Sequence, residues 1–163
     1  MTGQPGIGKT TAIRRIVELI GTDRAGGFYS AEIREGGQRV GFGLTTLDGK
    51  RGTLAHIDCT QGPRVGRYGV NVRDIMNVAV PAMRSARESG KIVIVDEIAR
   101  MELFSSEFEK EVVRCLDSRC VIGTIQQRSD PVLNGIRHRD DVRVIVIDVS
   151  NRNSIPELVM SMI

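Results

Sequence analysis

The sequence predicts an α/β fold, a three-layer sandwich whose mostly parallel β-sheet carries an inserted antiparallel meander. Runs of β-branched residues alternate with helical patterns along the chain, which is typical of a sheet covered by helices on both faces. Two strand-like runs flank Gly36-Gly37, a two-residue hairpin signal. With 163 residues, the chain fits one domain over 1–163 that has a sizeable core.

The N-terminal half predicts one helix followed by the meander. Apolar residues recur at helical spacing over 10–20, and Gly21 ends that helix. Strand-like runs follow at 28–35, 38–47 and 53–57, separated by glycine-containing turns.

The C-terminal half alternates helices with buried strands. A helical pattern over 72–89 contains Pro81, which either kinks the helix or starts a second one. A buried strand ends at Asp96-Glu97, and Ser105 or Ser106 caps a helix that runs to Asp117. Further strands are expected at 119–125 and 142–149, with a short helix over 131–137 between them and a terminal helix from Pro156.

Residues 3–10 match the phosphate-binding pattern G-x-x-x-x-G-K-[ST]. Its glycines let backbone N–H groups approach phosphate oxygens, Lys9 places a positive charge at the β- and γ-phosphates, and Thr10 offers a hydroxyl to Mg²⁺. The predicted nucleotide-binding residues of this loop are Gly3, Gln4, Pro5, Gly6, Ile7, Gly8, Lys9, Thr10 and Thr11.

Two carboxylates end the strand at 91–97, where open α/β sheets bind their ligands. Successive strand residues point in opposite directions, so the two should have different roles. We assign Asp96 to the Mg²⁺ shell, through water, together with Thr10. Glu97 is the candidate to orient or deprotonate the water that attacks the γ-phosphate.

Composition restricts the partners. The net charge of +3 permits nucleic-acid binding, but the arginines are spread along the chain and aromatic residues make up only 4%. Three cysteines without a signal peptide fit a cytoplasmic protein, and no apolar stretch is long enough to span a membrane. We expect a monomer whose main partner is a nucleoside triphosphate.

With these elements in place, the chain resembles the thermophilic P-loop nucleoside-triphosphatase family over nearly its whole length. The resemblance depends on several segments besides the phosphate loop: 27–29, 32–37, 39–42, 64–68, 95–98, 101–105, 123–125, 136–139 and 151–152. It implies Mg²⁺-dependent hydrolysis of ATP, GTP and other NTPs to NDP and phosphate, with loose choice of base.

The resemblance also points to residues outside the two motifs. Asn151 and Arg152 match the family's nucleobase-side motif, although a helix cap and a surface arginine explain them equally well. Ala99-Arg100 stands where Gly-Lys is more usual. Arg100 is our candidate for an internal arginine finger at the γ-phosphate, and Arg64, Arg67 and Arg137 are further candidates.

Two other functions use the same motifs. A P-loop kinase would pass the γ-phosphate to a small acceptor, and a non-enzymatic switch would bind nucleotide or RNA without useful turnover. A kinase needs an arginine-rich lid, whereas 28–68 predicts rigid hairpins.

Family members precede the phosphate loop with a short apolar strand, of which this sequence contains only Met1-Thr2. We therefore expect a truncated first strand.

Overall fold

Seven β-strands form one sheet in the computed structural model, which describes residues 1–163. The strands are β1 (Ala25–Glu35), β2 (Gln38–Thr46), β3 (Arg51–His56), β4 (Arg64–Val65), β5 (Tyr68–Val70), β6 (Ile92–Ile98) and β7 (Val121–Ile125). Their order across the sheet is β4-β5-β3-β2-β1-β6-β7. The α/β class and the meander are therefore confirmed.

The expectation of a mostly parallel sheet is wrong. Four of the six strand pairs are antiparallel, and only β1–β6 and β6–β7 are parallel. The cause is local: Gly36 and Gly37 adopt φ angles of 53° and 79°, so β1 turns back as β2 after two residues. The meander thus extends the sheet from β1 and forms most of its width.

Helices cover both faces of the sheet. They are α1 (Lys9–Ile20), α2 (Val72–Asp74), α3 (Val80–Glu88), α4 (Ser106–Asp117), α5 (Pro131–Arg137) and α6 (Ile155–Met160). On β6, Ile94 joins the core under α1 and α6, whereas Val93 and Val95 join the core under α3 and α4. This alternation confirms a strand buried on both sides. No helix is both long and apolar enough to cross a membrane.

Local sequence signals set several helix ends. The Ser105 hydroxyl accepts a hydrogen bond from the Phe108 N–H at 3.2 Å, so Ser105 is the cap of α4. Pro81 lies in the first turn of α3, directly after a π-helical turn over Ile75–Ala79. Proline has no N–H to donate to the preceding turn, yet Asp74, Ile75, Ala79 and Val80 all keep right-handed helical backbone, so the helical path over 72–88 is unbroken. Of the two alternatives for Pro81, the structure therefore favours one helix distorted before the proline over the start of a second helix.

The strand expected over 142–149 does not form. Thr2 and Val146 make an isolated bridge, in which the Thr2 N–H donates to Ile145 at 2.9 Å and the Ile147 N–H donates to Thr2 at 2.7 Å. A strand needs a neighbour with several consecutive backbone groups, and Thr2 offers one residue of pairing. Val149 is accordingly 71% exposed despite its apolar side chain.

Replacing Gly27 with alanine is expected to destabilise the fold by roughly 2–4 kcal/mol, because it adds backbone strain to a steric clash. Gly27 lies on β1 at φ 123°, and a Cβ there would collide with the Ile94 carbonyl. Urea unfolding of Gly27→Ala measures the loss. Gly135→Ala is the control, since a Cβ there meets nothing within 4 Å and alanine favours α5. Equal stability of the two variants would contradict the clash.

Candidate functional site

The glycine-rich loop joins Thr2 to the first turn of α1. Gly3 is buried, and a Cβ on it would lie 2.7 Å from the Ile147 carbonyl oxygen. Gly6 and Gly8 have φ angles of 77° and 110°, and Gly8 is the residue from which α1 begins. Only glycine adopts this backbone at low cost, and the helix N-terminus behind it favours an anion.

The Lys9 ammonium is folded back onto its own loop. It donates to the carbonyl oxygens of Gly3 at 3.2 Å and Gln4 at 3.4 Å, and it lies 3.5 Å from Glu97 Oε1. The Lys9 side chain is 12% exposed and that of Glu97 is 28% exposed. A positive charge, a carboxylate and the mouth of the loop therefore meet at one point.

Asp96 is buried at the carboxyl end of β6. Its Oδ1 accepts a hydrogen bond from the Thr124 hydroxyl at 2.9 Å, and its Oδ2 has no donor. Burial raises the pKa of Asp96, while the Thr10 and Thr124 hydroxyls and the Lys9 ammonium act in the opposite direction. A buried carboxylate oxygen without a partner is costly unless a cation or water meets it.

This donor set fits Mg²⁺. The ion is commonly bound by one or two carboxylates together with substrate phosphate oxygens and waters. Asp96 and Thr10 lie on the same cavity as the phosphate loop. No group of three or more His, Cys, Asp or Glu side chains is arranged to hold a metal.

Glu97 follows Asp96 on the same strand end but has a different environment. Burial raises its pKa, the Lys9 ammonium lowers it, and the neighbouring Asp96 raises it further. Asp96 is held by a hydroxyl, whereas Glu97 faces the ammonium and remains partly open to solvent. The two carboxylates therefore have the different environments that their alternation along the strand predicts.

These groups line one cavity of about 740 Å³. Its lining contains the loop and both carboxylates, together with side chains from the β1–β2 hairpin and the segment after β7: Gly3, Pro5, Gly6, Gly8, Lys9, Thr10, Thr11, Ser30, Ala31, Glu32, Arg39, Phe42, Asp96, Glu97, Gln126, Gln127 and Arg128. The structure thus brings together seven of the nine predicted loop residues and both acidic residues.

Several predicted residues lie elsewhere. Gln4 and Ile7 are in the loop but do not line this cavity. Arg100 is exposed, is not on the lining, and its backbone N–H donates to the Gln126 side chain at 3.3 Å. Of the other arginine candidates, Arg137 donates to the Gln126 carbonyl and shapes the loop after β7.

Asn151 and Arg152 are also off the cavity lining. The Asn151 amide donates to the Val146 carbonyl at 2.9 Å, and its Oδ1 accepts from the Asp148 N–H at 2.9 Å. Arg152 is exposed. Asn151 therefore orders the turn that follows the residues packed behind Gly3.

Sequence reasoning missed Thr124, Arg39, Glu32 and Arg128 as members of the site. Thr124 is the donor to Asp96, and the other three line the cavity. Arg39 and Glu32 fall within segments that carry the family resemblance, which was the only available signal. Neither residue belongs to a motif with its own chemistry.

A third carboxylate, Glu102, is buried behind the site in the 3₁₀ turn Glu102–Phe104. Its Oε2 has no hydrogen-bond partner. Burial raises the pKa of Glu102 from 4.5 to about 8, and the nearby Glu97 and Asp96 charges raise it as well. Folding therefore favours the protonated form of Glu102, which is the neutral one.

Glu102 should make stability fall as pH rises. Between pH 4.5 and 8 the unfolded chain has released this proton while the folded chain retains it. The free energy of unfolding of the wild type, relative to Glu102→Gln, is expected to decrease by up to about 1.4 kcal/mol per pH unit across that window. Urea titrations of both proteins at several pH values give the slope.

Glu107→Gln is the control for this measurement. Lys110 donates to Glu107 at 2.8 Å and lowers its pKa, so its titration falls below the window. A slope for Glu102→Gln identical to that of the wild type would contradict a protonated Glu102.

Comparison with known proteins shows what the chain is similar to. A family model described as NTPase matches residues 1–160. The nucleoside-triphosphatase THEP1 of Thermotoga maritima is 42% identical over 164 residues, which span 100% of this chain and 93% of that protein. The human cancer-related nucleoside-triphosphatase is 36% identical over 176 residues, which span 98% and 93% of the two chains.

Solved structures give the same result. The crystal structure of THEP1 from Aquifex aeolicus matches with a TM-score of 0.89 and 36% identity, over 99% of this chain and 95% of that one. The solution structure of a human cancer-related nucleoside triphosphatase matches with a TM-score of 0.81 and 35% identity, over 99% and 94%. Both similarities extend over nearly the whole of each chain.

Proposed function

The chain belongs to the NTPase family, and we propose that it is a Mg²⁺-dependent nucleoside-triphosphate phosphatase that converts ATP, GTP and other NTPs to NDP and phosphate. One observation carries the chemistry. The Lys9 ammonium lies 3.5 Å from Glu97 Oε1 in the cavity that the phosphate loop and Asp96 also line. A phosphate-binding charge and a candidate base thus flank the same space.

The phosphate loop would bind the β- and γ-phosphates through its backbone N–H groups and the N-terminus of α1. In the present structure the Lys9 ammonium is held by two loop carbonyls. Phosphate oxygens are stronger acceptors than those carbonyls, so Lys9 would exchange them for the γ-phosphate. The loop is therefore preorganised, and its charge is already in place.

Asp96 and Thr10 would hold Mg²⁺. When bound, the ion neutralises charge on the β- and γ-phosphate oxygens. The Thr124 hydroxyl fixes the orientation of the Asp96 carboxylate through Oδ1, so that Oδ2, which has no hydrogen-bond partner, would be available to the cation or to its water. Asp96 thus acts as a ligand, and the proton chemistry is left to the second carboxylate.

Glu97 would orient the attacking water and accept its proton. Its raised pKa makes it a better base than an exposed glutamate, while the Lys9 ammonium opposes that rise by favouring the ionised form. Hydrolysis is favoured over transfer to an acceptor by the relatives that are named nucleoside-triphosphatases, and β1, β2 and β3 beside the cavity are paired with one another. A kinase lid would need a segment free to close.

Loose base selection is part of the proposal. The cavity lining contains the loop, the carboxylates and the hairpin, and neither Asn151 nor Arg152 is on it. Base recognition by buried, directional hydrogen bonds gives strong discrimination, and the amide side chains on this lining, Gln126 and Gln127, are partly or fully exposed. Asn151 and Arg152 remain our proposed contacts for the base. The free cysteines support a cytoplasmic location.

Phosphate release from ATP, GTP, CTP and UTP, each with Mg²⁺ and with chelator, tests this function. We expect release from all four at rates within about tenfold of one another, and none with chelator. Release that requires an added acceptor would identify a kinase. A strong preference for one base would contradict loose selection, and full activity with chelator would contradict the Mg²⁺ requirement.

A further inference from the structure

The β1–β2 hairpin extends beyond the catalytic end of the sheet. The last parallel pair between β1 and β6 joins Tyr29 to Asp96, yet β1 continues to Glu35. Glu32 is three residues past that pair, which places it about 10 Å beyond Asp96 along the strand. The hairpin therefore projects past the strand end that carries Asp96 and Glu97, and residues on it line the same cavity.

One arginine on this projecting hairpin lines the cavity. Arg39 shares the lining with Lys9, Asp96 and Glu97, whereas Arg100 does not. Its Nη1 donates to Glu32 Oε1 at 2.8 Å, and its Nε donates to the Tyr68 hydroxyl at 3.0 Å. Its guanidinium also stacks over the Phe42 ring, with 5.2 Å between the guanidinium carbon and the ring centroid.

These contacts hold Arg39 in place without using all its donors. Nη2 of Arg39 donates no hydrogen bond, and the side chain remains 43% exposed. The Tyr68 hydroxyl is itself positioned by Arg67, which donates to it at 3.2 Å and also donates to the Arg39 carbonyl. The Tyr68 hydroxyl and the Phe42 ring thus hold the Nε side of the guanidinium in place, which lowers the entropic cost of a further contact through its terminal nitrogens.

Glu32 would stay paired if Arg39 moved to a phosphate. Arg34 Nε donates to Glu32 Oε2 at 2.9 Å, and Arg34 also donates to the Gly37 carbonyl. Both arginines lower the pKa of Glu32, which keeps it ionised. The Glu32–Arg39 pair is exposed, and exposed ion pairs exchange partners at little cost. A dianionic γ-phosphate would compete with this single carboxylate oxygen for Arg39.

We propose that Arg39 is the arginine that contacts the γ-phosphate during hydrolysis, supplied by the chain's own hairpin, with Glu32 as the partner that holds it before the nucleotide arrives. This inference rests on the proposed hydrolysis. The role of Arg39 would be to stabilise the charge that develops on the transferred phosphoryl group. An arginine has this role in many NTPases. Arg128 also lines the cavity, but unlike Arg39 its guanidinium donates no hydrogen bond that would orient it.

The test compares turnover and binding in Arg39→Ala, Arg39→Gln and Arg39→Lys. We expect Arg39→Ala to lower kcat by roughly 10²–10³-fold while the Kd for ADP changes by less than about threefold. Arg39→Gln keeps most of the side-chain stem and should behave like alanine, which guards against a folding defect. Arg39→Lys should recover part of kcat, because it restores the charge without the planar fork.

A transition-state analogue separates catalysis from simple binding. ADP with aluminium fluoride should bind the wild type more tightly than ADP alone, and Arg39→Ala should lose that difference. Arg15→Ala is the matched control, because Arg15 pairs with Glu18 at 2.9 Å on an exposed helix face and lies off the cavity lining. It should keep the wild-type kcat and the wild-type analogue affinity.

Several results would overturn the inference. A wild-type kcat in Arg39→Ala, an equal loss of ADP and analogue affinity, or a comparable kcat loss in Arg100→Ala or Arg128→Ala without one in Arg39→Ala would each do so. If the wild type releases no phosphate at all, both the proposed function and the role of Arg39 are wrong. If the wild type hydrolyses NTPs and Arg39→Ala does so equally well, only the role of Arg39 is wrong.

Discussion

Replacing Lys9 with alanine is expected to weaken the binding of a non-hydrolysable nucleoside triphosphate by roughly 30- to 1000-fold, the effect of losing about 2–4 kcal/mol from one well-placed charge contact. The Lys9 ammonium already lies at the mouth of the loop, held by the carbonyls of Gly3 and Gln4. Alanine leaves the loop glycines and the helix N-terminus in place but removes this charge. Isothermal titration calorimetry gives the Kd of each protein.

The loss should be greater for triphosphate than for diphosphate, because Lys9 is placed to meet the γ-phosphate as well as the β-phosphate. Lys110→Ala is the control: it also removes a lysine with a carboxylate partner, at 2.8 Å from Glu107, but outside the cavity. Triphosphate affinity in Lys9→Ala equal to that of Lys110→Ala would mean that the loop does not bind the phosphates as proposed.

Removing Lys9 also changes its neighbour. The ammonium is the main influence that lowers the pKa of Glu97 against the effect of burial. Without it, Glu97 should remain protonated to higher pH and be unable to accept a proton from water. Any residual turnover of Lys9→Ala is therefore expected to rise with pH, and to do so over a higher pH range than the turnover of the wild type.

Elements with local chemical signals were predictable from the sequence. Gly36-Gly37 set the first hairpin, Ser105 set the start of α4, and the short helix Pro131–Arg137 has the bounds that its proline and apolar spacing predict. Each of these signals acts within a few residues. Strand β6 was also predictable, because a short unbroken run of β-branched residues is typical of a strand covered on both faces.

The predictions that were wrong concern contacts between segments far apart in the chain. The run 142–149 has the composition of a buried strand, but a strand is stabilised by its neighbours, and here Thr2 alone offers backbone pairing. The antiparallel pair of β1 with β2 follows from its turn, but the parallel pair of β1 with β6 joins segments far apart in the chain, and that pairing is a long-range choice. Residue patterns along the chain do not contain these pairings.

The residues of the candidate site divide in the same way, into those that short motifs predict and those that only the folded chain brings to the cavity. Gly3–Thr10, Asp96 and Glu97 were found because their chemistry appears in short motifs, and the structure places most of them on one cavity. Arg39 comes from a hairpin whose position over the loop follows from the β1–β6 register. Arg100 is closer to Glu97 in sequence yet lies off the cavity lining. For an arginine, whose side chain is long, sequence separation is a poor guide to reach.

Replacing Glu97 with glutamine is expected to lower kcat by roughly 10²–10⁴-fold while nucleotide affinity changes by less than about threefold, as for the loss of a general base. Glutamine has the same shape, so the cavity and the Lys9 position are kept, but it cannot accept a proton from water. Single-turnover measurements of phosphate release, with Kd determined separately, distinguish the chemical step from binding.

Asp96→Asn should fail differently from Glu97→Gln, and this difference tests the separate roles of the two carboxylates. Loss of the Asp96 charge weakens Mg²⁺ binding, so the kcat loss of Asp96→Asn should shrink as Mg²⁺ concentration rises, whereas that of Glu97→Gln should not.

In the wild type, kcat should rise with pH through the raised pKa of Glu97, and this rise should disappear in Glu97→Gln. A wild-type rate in Glu97→Gln would show that another group activates the water. Rescue of Glu97→Gln by Mg²⁺ would instead make Glu97 part of the cation site, so that the assignment of one ligand and one base would have to be reversed or merged.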